Sequence, residues 1–126
     1  MKPTSRTRKI SAVKVEATRL HSKIVRASNG PLCENRCGRL ATDAAHIIGR
    51  KYSHTRTDTL NAFALCAQCH ARFTDHHGEW MDFINATIGR QEYDRLWEKA
   101  HNPAKFDWFD ELDRLRALAA DLGVAA

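Results

Sequence analysis

Two closely spaced cysteine pairs constrain the fold of this chain more than any other feature of its sequence. Three residues separate Cys33 from Cys37, and after a further 28 residues the second pair follows. In that pair only two residues separate Cys66 from Cys69. Each pair can supply two thiolates from one turn, and two such turns can complete a tetrahedral Zn²⁺ site. Since four thiolates leave no open coordination position, the spacing predicts a structural zinc site.

The length of the chain explains why such a metal site is useful. A chain of 126 residues is typical of one domain, and a core of that size buries only about two-thirds of the unfolded surface. No apolar run approaches the roughly 20 residues needed to cross a bilayer, and the basic N-terminus is not followed by the apolar segment of a signal peptide. We therefore expect no membrane partner and a location in the cytoplasm of a bacterial or phage-infected cell. Thiols stay reduced there and hold metals more often than they form disulfides.

Charge is distributed unevenly along the chain. Residues 1–30 carry a formal charge of +7 and residues 31–70 carry +2, whereas residues 71–126 carry −4. A basic front half and an acidic rear half point to a polyanion such as DNA as the partner of the front half. A solvated basic tail is the alternative interpretation of the same charge.

The hydrophobic pattern divides the chain into three parts. Residues 1–30 form a basic N-terminal arm or helix, in which the first ten residues are expected to be mobile and residues 11–27 weakly amphipathic. Residues 31–76 are expected to be the functional centre, and residues 77–126 a helical part packed against it. The predicted class is α+β.

The functional centre and the helical part have recognisable elements. We predict strands at 40–47 and 63–65, a loop between them, and a helix at 67–74. After Gly78 three apolar stripes with helical spacing follow, the last of them capped by Asp107 and ended by Gly123. We assign the aromatic residues of these stripes to the core rather than to a nucleotide-stacking surface.

Three polar residues stand out between and after the cysteines. His46 lies in an otherwise apolar strand, Asn61 follows in the loop, and His70 comes after eight intervening residues, directly after the second cysteine pair. This order resembles the HNH (ββα-metal) endonuclease family in its cysteine-rich, phage-type branch. It is also similar to phage recombination nucleases of the NinG type, which have Asn where this chain has His70. The resemblance covers about residues 32–76.

The resemblance implies a ββα-metal finger joined to the cysteine zinc knuckle, with an activity that hydrolyses DNA phosphodiester bonds. It implies that His46 is the general base, His70 a ligand of a catalytic Mg²⁺, Mn²⁺ or Ni²⁺ ion, and Asn61 the brace that fixes the loop. The chemistry fits these residue types, because a neutral imidazole can take a proton from water near pH 7. Burial in an apolar strand favours that neutral form.

The sequence departs from the family pattern directly before the base. Many relatives have Asp or His there as a second metal ligand, whereas this chain has Ala45. Asp43 is the nearest carboxylate, and it lies on the same face of the strand as Ala45, one pleat repeat away from it. We therefore predict Asp43 as the second ligand, with His54 as the next candidate. His76 and His77 are further candidates.

Five basic residues are predicted to contact DNA phosphates, two from the N-terminal part and three from the loop between the strands: Lys9, Lys14, Arg50, Lys51 and Arg56. Two other functions are open. One alternative is a zinc-finger DNA-binding module without catalysis. The other is an adaptor whose nuclease site has decayed. A single site cuts one strand, so cutting both strands requires two chains or two encounters. The C-terminal helices are candidates for the surface of such a homodimer.

Overall fold

The computed structural model describes the backbone of residues 5–125 and the side chains of residues 9–125. Residues 1–4 of the predicted basic arm lie outside this part of the chain. Within the described part, six α-helices accompany one two-stranded antiparallel sheet, which confirms the α+β class. None of these helices is long and apolar enough to cross a membrane. The elements are α1 (Ser5–Ser28), β1 (Asp43–His46), α2 (Ser53–Arg56), β2 (Ala62–Leu65), α3 (Ala67–Asp75), α4 (His77–Thr87), α5 (Gly89–Ala100) and α6 (Trp108–Asp121).

The two strands form a short ladder in which Asp43 pairs with Leu65 and His46 pairs with Ala62. The first strand is shorter than the predicted range 40–47. The chain before it is occupied with the cysteine knuckle, where Leu40 makes only an isolated bridge to Leu32. The second strand begins one residue earlier than predicted, and the helix predicted at 67–74 extends one residue further.

All four residues of β2 are buried because both faces of the sheet are covered. Successive side chains of a strand point to opposite faces. Ala62 and Ala64 pack with Val25 of α1, and their small side chains fit the close approach of that helix. Phe63 and Leu65 belong to the other face, where helices α3 to α5 supply the core.

Helix α1 is a structural element and not a free arm. It begins at Ser5, so residues 5–10, which were expected to be mobile, belong to the helix. Its predicted stripe is buried, since Ala17, Leu20 and Ile24 are at most 1% exposed. These side chains pack against α6, and burial of each large aliphatic side chain contributes roughly 1.5–3 kcal/mol. Truncating α1 would therefore remove part of the core together with the basic charge.

An aromatic cluster joins β2 to α3 and α4. Ring centroids lie 4.8 Å apart for Phe63 and Phe83, 5.0 Å apart for Phe73 and Phe83, and 5.3 Å apart for Phe73 and Trp80. Of the stripe aromatics assigned to the core, Trp80 and Phe83 of α4 pack in this cluster, which confirms the assignment for these two. On α5 and α6, however, the predicted apolar stripes are only partly packed. Three of their members are exposed: Trp97, Phe109 and Leu122.

Candidate metal centre and histidine cleft

The four cysteines lie together, as the spacing predicted. Their sulfur atoms are all within 4.8 Å of one another, and the sulfurs of Cys37 and Cys66 are 3.6 Å apart. A tetrahedral ion with Zn–S bonds of about 2.3 Å requires sulfur separations of about 3.8 Å. All four thiols are free, and 3.6 Å is far too long for a disulfide. The cluster can therefore hold a metal ion such as zinc.

Backbone turns build this cluster from two directions. The first turn closes when the amide of Cys33 donates to the carbonyl of Arg39 at 2.9 Å. Gly38 has a φ of +87° in this turn, a conformation that a side chain would strain. In the second turn, Cys66 caps α3 and its sulfur accepts from the amide of Cys69 at 3.3 Å. Each turn thus supplies two sulfurs to the cluster.

The protonation of the thiols depends on where each one sits. The pKa of Cys37 is lowered to about 6, first because the backbone amide of Arg39 donates to its sulfur. Burial raises the pKa of Cys33 and raises that of Cys69 to about 12. Buried thiols become thiolates when a cation compensates their charge. A bound metal ion supplies that compensation and releases the protons.

His46 ends strand β1 with one of its two ring nitrogens engaged. Nε2 lies 2.8 Å from the carbonyl oxygen of Arg56. A carbonyl only accepts, so Nε2 carries the proton and Nδ1 of the neutral ring keeps a lone pair. The pKa of His46 is lowered, first by burial and further by the charges of Arg50 and Arg56, against the hydrogen bond that raises it. The ring is therefore neutral near pH 7.

Asn61 is completely buried and holds both ends of the loop between the strands. Its side-chain oxygen accepts from the amide of Ile48 at 2.7 Å. Its side-chain nitrogen donates to the carbonyls of Ile48 at 3.0 Å and Thr55 at 2.9 Å. The loop-fixing hydrogen bonds expected of Asn61 are thus present. Through them Asn61 fixes the segment that carries the carbonyl of Arg56, and so it positions His46 indirectly.

His70 on α3 meets Asp43 on β1. Nδ1 of His70 lies 2.8 Å from Oδ2 of Asp43, and this contact is the first cause of the lowered pKa of Asp43. Two arrangements of a cation fit the distance. Adjacent ligand atoms on an octahedral ion at about 2.1 Å stand about 3.0 Å apart, so both atoms can bind one ion. Alternatively, Asp43 accepts the Nδ1 proton and leaves Nε2 of His70 to the metal.

His46 and His70 line one small cleft with a volume of about 160 Å³. Ala45 lies in its wall, and His77 lines it as well. His77 reaches the cleft because α3 ends at Asp75 and a new helix begins, so positions after 75 do not continue the helical faces of α3. His77, named from the sequence as a further ligand candidate, therefore lies in the same cleft as His46 and His70.

Two other histidines lie where the sequence did not place them. His21, which the sequence motif does not include, is fully buried beneath the site, and its ring centroid is 5.2 Å from that of His46. Its position between Ala17 and Ile24 on the apolar stripe of α1 was the available signal. His54, the second choice as a metal ligand, packs edge-on against Phe106 at 5.1 Å and lines a different cleft.

The predicted DNA contacts fall into two groups. Arg50 and Arg56 act on His46 through their charges, as its lowered pKa records. Lys14 and Lys51 lie together in the wall of the second cleft, while Lys9 is exposed on α1. No known protein family matches the chain, and no curated protein and no solved structure is significantly similar to it.

Proposed function

We propose that the protein is an HNH-type endonuclease that hydrolyses DNA phosphodiester bonds with the help of a divalent cation. The observation that carries the proposal is the cleft shared by His46 and His70. Its geometry supports complementary tasks for the two rings. His46 is tethered through Nε2, and His70 is paired with a carboxylate, a combination suited to a base and a metal ligand.

His46 is the general base in this proposal. The tether to the carbonyl of Arg56 fixes the tautomer, so Nδ1 is the nitrogen that takes the proton of the attacking water. Its lowered pKa keeps the ring unprotonated at neutral pH. Asn61 contributes by holding the loop that supplies this carbonyl.

His70 holds the catalytic cation, and the second ligand is Asp43 or His77. A bound Mg²⁺, Mn²⁺ or Ni²⁺ ion supplies positive charge at the scissile phosphate. Arg50 and Arg56 add further positive charge near His46, which favours an approaching phosphate. Direct ligation by Asp43 stays a prediction, and its 2.8 Å contact with His70 is compatible with it.

We assign Zn²⁺ to the cysteine cluster in a structural role. Four thiolates are the soft donors that zinc accepts, and they leave no position for substrate. The strands, His46 and Asn61 all lie between Cys37 and Cys66 in the chain, so the ion closes the loop that carries His46. Its binding contributes roughly 10 kcal/mol to folding in domains of this kind.

Cleavage of supercoiled plasmid tests the proposal. We expect nicking in the presence of Mg²⁺, Mn²⁺ or Ni²⁺ and none without added divalent ions. His46→Ala should lower the rate about 100-fold or more, as expected for loss of a general base. DNA binding by the variant, measured by gel shift without divalent ions, should stay near that of the wild type.

His101→Ala is the matched control, since His101 is an exposed histidine whose ring contacts Trp97 and Tyr52 away from the cleft. It should cut at the wild-type rate. Equal cleavage by the His46 and wild-type proteins would remove His46 from the mechanism. Absence of cleavage by folded, zinc-loaded wild type with every one of these ions would remove the activity itself.

A zinc-stabilised DNA-binding module without catalysis is the second candidate. One observation favours it: among the described residues, the four cysteines are the only group of three or more potential ligands gathered closely enough for one ion. His70 and Asp43 thus form a pair without a third protein ligand in place. DNA binding without cleavage in the plasmid assay is the result that this candidate requires.

A further inference from the structure

A second and larger cleft lies beside the histidine cleft. Its volume is about 780 Å³, within the range of ligand-binding sites, and it is bounded by α1, the start of α2 and the connection from α5 to α6. Lysines from three distant parts of the chain line it, together with four aromatic residues. The lining includes Lys14, Lys51, Lys105, Tyr52, Phe106, Trp108 and Phe109.

The charge of this cleft suits an anion. Among the described side chains, none of its three lysines forms an ion pair with a carboxylate. Asp107 is the one acid in the lining, and its carboxylate accepts from the amides of Phe109 at 3.0 Å and Asp110 at 3.1 Å. That carboxylate is therefore engaged with the first turn of α6, and the lining keeps an excess of positive charge, with three lysines against one acid.

The aromatic residues give the cleft flat surfaces next to these charges. The ammonium of Lys14 lies 5.9 Å from the ring centre of Trp108, and that of Lys51 lies 5.0 Å from the ring centre of Tyr52. Phe109 is 42% exposed although it belongs to an apolar stripe. Aromatic rings beside cations are what a nucleotide strand requires, because its bases stack and its phosphates seek positive charge.

Arg56 connects this cleft to the histidine cleft. Its carbonyl holds Nε2 of His46 at 2.8 Å, while its guanidinium lies 6.0 Å from the ring centre of Trp108. In a duplex the bases are stacked and paired, so only an unpaired segment can place its bases against the aromatic wall.

We propose that this cleft binds unpaired nucleotides of a DNA strand, with bases against Phe109 and Tyr52 and phosphates on the three lysines. The inference rests on the proposed function only for the class of ligand, because binding here requires neither the divalent ion nor His46.

Binding of a fluorescein-labelled oligo-dT of ~12 nucleotides, followed by anisotropy without added divalent ions, tests the inference. Phe109→Ala should weaken binding about 10-fold, the loss expected for one stacking residue. Lys105→Ala should lower the slope of log affinity against log salt by about 0.7, as expected for one phosphate contact on a single strand.

Two residues outside the lining serve as matched controls. Trp97→Ala removes an equally exposed aromatic, and Lys23→Ala removes a lysine of α1; both should bind oligo-dT like the wild type. Wild-type affinity of the Phe109 and Lys105 variants would overturn the inference. So would an equal loss of affinity for oligo-dT and for a perfect duplex. A protein that binds oligo-dT through this cleft but never cuts plasmid would refute the nuclease and leave the cleft standing.

Discussion

Removing His21 should abolish a specific dependence of stability on pH. His21 lies under His46, donates from Nε2 to the carbonyl of Asp58 at 3.0 Å, and leaves Nδ1 buried without a partner. A protonated ring would place a charge in this enclosed position. Burial accordingly lowers the pKa of His21 from 6.5 to about 4. In the unfolded chain the ring returns to its ordinary pKa.

The sign and size of the effect follow from these two values. Between pH 6.5 and pH 4 the unfolded state binds more protons than the folded state, so stability falls as the pH falls through this range. The loss from His21 between pH 7 and pH 5 is about 2 kcal/mol. Protonation of the metal-binding thiolates acts in the same direction but is common to the wild type and the variant.

Urea unfolding at several pH values measures this contribution. His21→Gln keeps a side-chain donor and should be less sensitive to acid than the wild type by about 2 kcal/mol over that range. His76→Gln, at an exposed histidine, is the control and should keep the wild-type dependence. If His21→Gln fails to fold, proton uptake on unfolding the wild type at pH 5 replaces it, with close to one proton expected from this site. Parallel curves for the wild type and His21→Gln, or no such uptake, would refute the reasoning.

Two further predictions concern the metals. One Zn²⁺ ion per chain should be found by elemental analysis, and its removal by a chelator under reducing conditions should unfold residues 31–76, as judged by loss of amide protection; a folded, metal-free protein would contradict this. Loss of a ligand should raise the Mn²⁺ concentration for half-maximal binding about 10-fold. Equilibrium binding to Asp43→Ala and His77→Ala therefore identifies the second ligand, and a curve that overlays the wild type excludes that residue.

Local sequence patterns predicted much of the fold. The cysteine spacing predicted the sulfur cluster because each pair needs only one turn to bring its sulfurs together. The three C-terminal helices followed from apolar spacing, and Asp107 caps α6 as predicted. These features depend on neighbours within a few residues, which is the range over which periodicity and turn chemistry act.

The sequence did not predict contacts between segments that are distant in the chain. His21 and His46 belong to different elements, and only the packing of α1 against the sheet brings their rings together. His77 was named from the sequence as a further ligand candidate, but only the packing of α4 after α3 places it in the histidine cleft. Lys105 joins Lys14 and Lys51 through the return of the chain between α5 and α6. Each of these is a consequence of tertiary packing, which a one-dimensional pattern does not encode.

The hydrogen bond that holds His46 also limits what a substitution at position 56 can change. It is made by the main-chain carbonyl of Arg56, an atom that every amino acid has. Exchange of the side chain at position 56 changes the charge facing Trp108 while it leaves that carbonyl in the chain. Under the proposed function, substrate preference can thus change at this position through single substitutions, while the main chain keeps the orientation of His46.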